Sequence, residues 1–116
     1  MKRITLIAAF FLLLSGLAKA EKGPAFLKGE ALFNNNCAKC HGVKGAGTDK
    51  GPPLVHSIYH PNHHADLSFK WAIERGVRSH HWKFGDMPKV DAVKSQEEIE
   101  LIISYIRSIQ KEAGIF

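Results

Sequence analysis

The 116 residues contain only two cysteines, too few for a disulfide scaffold. The longest largely apolar run, residues 4–14, has 11 residues with Thr5 its one polar member, well short of the ~20 that a bilayer-spanning helix needs. No stretch alternates apolar and polar residues convincingly enough for a half-buried strand. No repeat or low-complexity tract divides the chain, so one all-α domain is expected. Large apolar side chains are also scarce between residues 42 and 66, where Leu54, Val55, Ile58 and Tyr59 are among the few. A loop that long in a compact domain is usually functional or held by something besides the chain, and a bound cofactor would account for it.

The short apolar run has a basic start, Met1-Lys2-Arg3, and a small-residue ending in which Ala18 and Ala20 flank Lys19. That is the pattern of a secretory signal peptide, so residues 1–20 are expected to be a leader cleaved after Ala20, and residues 21–116 the exported domain. An uncleaved anchor is the alternative, and the length of the run weighs against it. Cleavage removes Lys2, Arg3 and Lys19 from the 16 basic residues and no acidic one. It leaves 13 against 11, and the formal charge falls from +5 to +2. Nucleic acid therefore gains no support as a partner. Loss of Met1 leaves Met87 as the one methionine of the mature chain.

Three helices are expected, over residues 25–40, 66–76 and 95–111. Pro24 suits a helical first turn, and Phe26, Leu27, Ala31 and Phe33 follow in partial helical spacing. Asp66 reads as an N-cap, with Phe69, Ala72, Ile73 and Val77 on one face and Gly76 as the stop. Ser95 and Glu98 form a capping box ahead of Ile99, Ile102, Ile103, Ile106 and Ile109 or Gln110, and Gly114 closes the helix.

The chemistry concentrates in Cys37-Ala38-Lys39-Cys40-His41. A disulfide here would close too small a loop to stabilise much. A thioredoxin-like dithiol follows a strand, whereas this pair follows a helix. A zinc site needs four ligands, and the remaining histidines are scattered. Cys-x-x-Cys-His matches covalent haem attachment: thiols three apart on a helical turn lie on one side, each able to add to a vinyl group, and the next imidazole can reach the iron.

With Gly29, Phe33, "CAKCH", "GPPL", "GDMP" and "LIISYI" in this order, the chain resembles the class I mono-haem c-type cytochromes, small bacterial periplasmic electron carriers. The resemblance implies a cytochrome c-like fold of three main helices with long loops around one covalent haem c. It implies Cys37 and Cys40 as tethers, His41 as proximal ligand and Met87 as distal ligand. A carbonyl in "GPPL", by analogy that of Pro53, would accept the His41 Nδ1–H. Gly29 and Phe33 would meet Ile102 and Tyr105 where the first and last helices cross. The function implied is one-electron transfer by a monomer, not enzymatic turnover, with redox proteins as partners, a membrane-bound oxidase or reductase among them.

Six histidines stay unexplained: His56, His60, His63, His64, His80 and His81. They are read as surface or haem-edge residues, with two rivals: His80 or His81 replacing Met87 on the iron, or several binding copper or zinc. His56 and His60 would share a face of a helical segment, while the adjacent His63 and His64 would point apart. Two alternatives to a pure carrier follow, a ligand-binding, peroxidatic or sensory haem with a labile Met87, and a copper-handling cytochrome. Trp71 and Trp82 are expected in the core or haem pocket, Trp82 more so. Lys39, Lys44, Lys50, Lys83 and Lys89 are candidates for a docking ring.

Overall fold

The computed structural model describes residues 21–116, so the expected leader and its cleavage after Ala20 lie outside the described residues. Four α-helices and no strand occur among them: α1 (Pro24–Asn36), α2 (Ala38–His41), α3 (Asp66–Arg75) and α4 (Gln96–Glu112). Short 3₁₀ turns at Val43–Gly45 and Ser57–Tyr59 punctuate the long connection between α2 and α3. No helix among the described residues is long and apolar enough to cross a membrane.

The first helix does not run unbroken through the cysteines. Cys37 adopts φ −123°, outside the helical range, and separates α1 from the single turn of α2. Tertiary contacts hold that turn as a separate element: the Cys40 carbonyl accepts Thr48 Oγ1–H at 2.6 Å and the His41 carbonyl accepts Gly47 N–H at 2.6 Å. At α3, Ala65 takes the N-cap position expected of Asp66. The Asp66 carboxylate instead accepts from Arg107 Nε at 2.7 Å, a partner 41 residues away that local pattern cannot reveal. Gly76 ends α3 as expected, and Val77 lies beyond it rather than on its apolar face.

The last helix follows its sequence signals closely. Ser95 Oγ accepts Glu98 N–H at 3.1 Å, and the Glu98 carboxylate accepts Ser95 N–H at 3.3 Å, closing the capping box. Ile99, Ile102, Ile103, Ile106 and Ile109 are all buried along one stripe. Each contributes about 1.5–3 kcal/mol relative to an exposed position. Both Ile109 and Gln110 turn inward, Gln110 with no exposed surface at all.

The crossing of α1 and α4 depends on Gly29. A Cβ there would overlap the Leu101 carbonyl oxygen and stand 3.0 Å from Tyr105 Cβ. Phe33 and Phe26 both pack on the Tyr105 ring at 5.2 Å between centroids. The crossing expected from sequence is therefore present, with Leu101 rather than Ile102 meeting the glycine.

Gly29→Ala tests this crossing. Helix propensity favours alanine by about 0.8–1 kcal/mol, whereas overpacking of this kind costs about 1–3 kcal/mol. A net loss is expected in urea denaturation, against little change in Gly23→Ala, where a Cβ meets nothing within 4 Å. Equal stability of Gly29→Ala and the native protein would contradict the close approach.

Candidate functional site

An apolar cavity opens among the four helices and the loops that join them. Phe33, Leu54, Phe69, Ile73, Ile102 and Ile106 form its inner wall, and Cys37, His41 and Met87 also face it. Its volume is about 250 Å³, near the lower end of the ~300–1,000 Å³ typical of small-molecule sites. Cys40 does not line the cavity; it sits half-buried in α2 beside it.

Both thiols are free, so the pair is not a disulfide. Burial, reinforced by the neighbouring Cys40, pushes the Cys37 thiol up to about 11 and keeps it protonated at neutral pH.

His41 is oriented by its backbone surroundings. Its Nδ1 lies 2.9 Å from the carbonyl oxygen of Pro52, not Pro53. The two prolines are adjacent, and only the path of the loop decides which carbonyl turns toward the ring. A carbonyl carries no proton, so Nδ1–H must donate, which leaves the Nε2 lone pair free. Burial lowers the pKa of His41 and the Pro52 bond partly opposes this, so burial dominates and the ring is neutral at pH 7.

Met87 is placed by a local antiparallel bridge. Val77 N–H donates to Met87 O at 2.9 Å and Met87 N–H donates to Val77 O at 2.8 Å. Gly76 makes room for it: with φ +79°, a Cβ at Gly76 would overlap the Met87 carbonyl. Ser79 N–H donates to Asp86 Oδ1 at 2.8 Å, drawing the intervening loop closed.

The Cys37 thiol, a neutral imidazole with its outer nitrogen anchored and a thioether on an apolar wall, with the Cys40 thiol beside them, fit a covalently held haem. The comparisons agree. The family model for cytochrome c matches residues 26–110.

The chain belongs to the cytochrome c family.

Among its relatives, the cbb3-type cytochrome c oxidase subunit FixP of Bradyrhizobium diazoefficiens is 34% identical over 104 residues, covering 82% of this chain and 36% of that protein. The cbb3-type subunit CcoP of Azospirillum sp. strain B510 is 26% identical over 99 residues, covering 79% of this chain and 33% of that protein. This cytochrome c thus spans about a third of the length of these curated relatives. No solved structure matched it. Family membership carries haem c as cofactor and electron transfer as the class of activity.

The loop of this cytochrome c that runs from α2 to α3 is tied down by groups that sequence patterning did not single out. Arg107 Nη1 donates to the Tyr59 carbonyl at 2.7 Å and to Gln110 Oε1 at 2.8 Å, and Nη2 donates to the His64 carbonyl. Gln110 Nε2 donates to the Leu54 carbonyl at 2.9 Å. The available signal was a polar Gln110 on the apolar stripe of α4. Trp82 lines the cavity and donates Nε1–H to Tyr59 Oη at 3.1 Å. Trp71, in contrast, is not a core or pocket residue: it is exposed on α3 with Arg75 5.2 Å from its ring. It stands opposite Phe69 and Ile73 on the helix, so the face that packs inward excludes it.

The histidines lie at the surface or the cavity edge, as expected, but their mutual placement differs. His56 and His60 do not share a ligating face, because each Nδ1 accepts a loop N–H, from Ile58 at 3.1 Å and Asn62 at 3.0 Å. His63 and His64 do not point apart: they lie in a turn where both N–H groups reach the His60 carbonyl, and their rings are 4.8 Å apart. His80 and His81 come up beside them, with centroids of His81 5.2 Å from both His63 and His64. Partial desolvation first, then repulsion from neighbouring rings, lowers the pKa of His81, and burial leads the same lowering at His64. Lys39, Lys44, Lys50, Lys83 and Lys89 are all exposed, and Lys89 pairs with Asp91 at 3.1 Å.

Arg107→Lys should separate the value of these contacts. The Asp66 carboxylate is well exposed, so its ion pair is worth about 0–1 kcal/mol. The carbonyl contacts are shielded and charge-assisted, worth about 1.5–3 kcal/mol each, and one ammonium cannot reproduce the guanidinium fork. Denaturant unfolding is expected to show a loss of about 2–3 kcal/mol for Arg107→Lys and under about 1 kcal/mol for Asp66→Asn. The reverse order would contradict the assignment.

Proposed function

We propose that this chain is an exported one-electron carrier with a single haem c, tethered by Cys37 and Cys40 and ligated by His41 and Met87. The observation that carries the reading is the shared cavity: the free Nε2 of His41, set by the Pro52 carbonyl, and the thioether of Met87, set by the Val77 bridge, both belong to its lining. One Cys-x-x-Cys-His motif supports one haem. The basic, apolar, small-residue N-terminus supports export with cleavage after Ala20.

When bound, haem c supplies the Fe(III)/Fe(II) couple, and the chain supplies everything around it. The Cys37 and Cys40 thiols would each hold it through a thioether, the S–H adding across a vinyl C=C. Pro52 holds the His41 ring in one tautomer and makes Nε2 a better donor. Met87 offers a soft, neutral donor, which favours the reduced state and raises the potential compared with a second imidazole. The apolar wall from Phe33 to Ile106 excludes water, so little solvent must reorganise as the charge changes. Because Met87 is fixed by two backbone hydrogen bonds, a carrier is better supported than a sensor or peroxidatic haem with a labile ligand. The likeness to oxidase subunits supports a terminal oxidase as a redox partner.

Protein exported by a haem-attaching host should keep its haem through acidic organic extraction, and Cys37→Ala with Cys40→Ala should release it. Met87→Ala should retain haem, lose the weak red band of a sulfur–iron(III) bond, and fall in reduction potential. An unchanged Met87→Ala spectrum would move the distal ligand elsewhere, with His80 and His81 the next to test.

A further inference from the structure

We infer that His63, His64 and His81 form a second metal site, one that takes a single tetrahedral first-row ion of the Zn²⁺ class at the rim of the haem cavity. One imidazole nitrogen from each of the three lies within 4.8 Å of the others.

The distances favour a metal over a direct contact. His63 Nε2 and His81 Nε2 are 3.4 Å apart. That is long for an N–H···N hydrogen bond, whose relatives cluster near 2.9–3.0 Å. It matches the edge of a tetrahedron with Zn–N bonds of about 2.0–2.1 Å, which is about 3.3–3.4 Å. The remaining edges need to shorten by at most about 1.4 Å, within reach of a ring rotation at an exposed site.

The surrounding hydrogen bonds already set one ligand. His64 donates Nδ1–H to the Ile58 carbonyl at 2.7 Å, leaving Nε2 as its donor atom. An outer N–H bound to a backbone carbonyl is the usual support of a metal-ligating histidine. Two loops contribute, His63 and His64 from the turn before α3 and His81 from the segment leading to Met87, and the rings remain open to solvent for metal entry. Among the described residues no carboxylate forms an ion pair with any of these rings. Three imidazoles in contact can offer their ring nitrogens to a cation as their common partner.

A rival is that these rings serve the carboxylates of the group bound in the cavity. His64, His80 and His81 line that cavity, and His63 does not. His63 therefore distinguishes the two, and the site stands whether or not Met87 is an iron ligand.

The test uses the haem-loaded full chain, incubated with Zn²⁺, desalted and assayed for zinc per iron, with affinity from a competing chelator. One zinc per haem is expected. His63→Ala and His81→Ala should each weaken binding at least about 10-fold, while His60→Ala and His80→Ala stay near native. Visible haem spectra of every variant report whether the fold and the iron ligands are intact, and His63→Asn replaces any variant that fails this check. Equal zinc binding by native protein and His63→Ala would overturn the site. So would absence of stoichiometric zinc, or a loss in His80→Ala as large as in His63→Ala.

Discussion

The hydrogen bond from His41 Nδ1 to the Pro52 carbonyl is the contact around which the rest of the structure is arranged. It exists only because the chain after α2 folds straight back over the turn it has just left. Gly47 N–H on the His41 carbonyl, Thr48 Oγ1 on the Cys40 carbonyl, and Gly51 packed against Cys40 bring Pro52 to the ring. The same loop then passes to α4, where Gln110 takes the Leu54 carbonyl and Arg107 takes those of Tyr59 and His64. A segment with few apolar side chains is thus ordered by hydrogen bonds to its carbonyls, which buried backbone must find somewhere.

The cavity has two kinds of wall. One is rigid, made where α1 crosses α4 at Gly29 and where α4 lays its isoleucines against Phe33, Leu54 and Phe69. The other is loop, closed by the Val77–Met87 bridge and by Trp82 on Tyr59. His41 belongs to the first part of the chain and Met87 to the second, so the two axial donors proposed here are positioned by independent devices. Substitutions that disturb the loop wall act on the Met87 side, while those at Pro52 or Thr48 act on the His41 side.

Features governed by near neighbours were legible from residue order. The Ser95–Glu98 box, the Gly76 stop and the isoleucine stripe all express contacts within a few residues or a simple period, whereas the Gly29–Phe33 crossing was implied by the family resemblance. Features governed by distant partners were not. Asp66 looks like a cap until Arg107 claims its carboxylate. Pro52 and Pro53 differ only in which carbonyl the loop turns inward. The break at Cys37 depends on Thr48 and Gly47 holding the turn beyond it. The surface and cavity-edge placing of the histidines was legible, but the closeness of His63 and His64 was not, because adjacent residues point apart in regular structure and these two lie in a tight turn. Trp71 was the exception, since the spacing of Phe69 and Ile73 already placed it on the outer face.

The most direct measurement is nitrogen-resolved NMR of the His41 ring in the haem-loaded, diamagnetic Fe(II) protein. A single slowly exchanging proton on Nδ1, protected by the Pro52 carbonyl, with Nε2 bound to iron, is expected. A proton on Nε2, or an Nδ1–H exchanging as freely as in an exposed histidine, would contradict the central role of this contact.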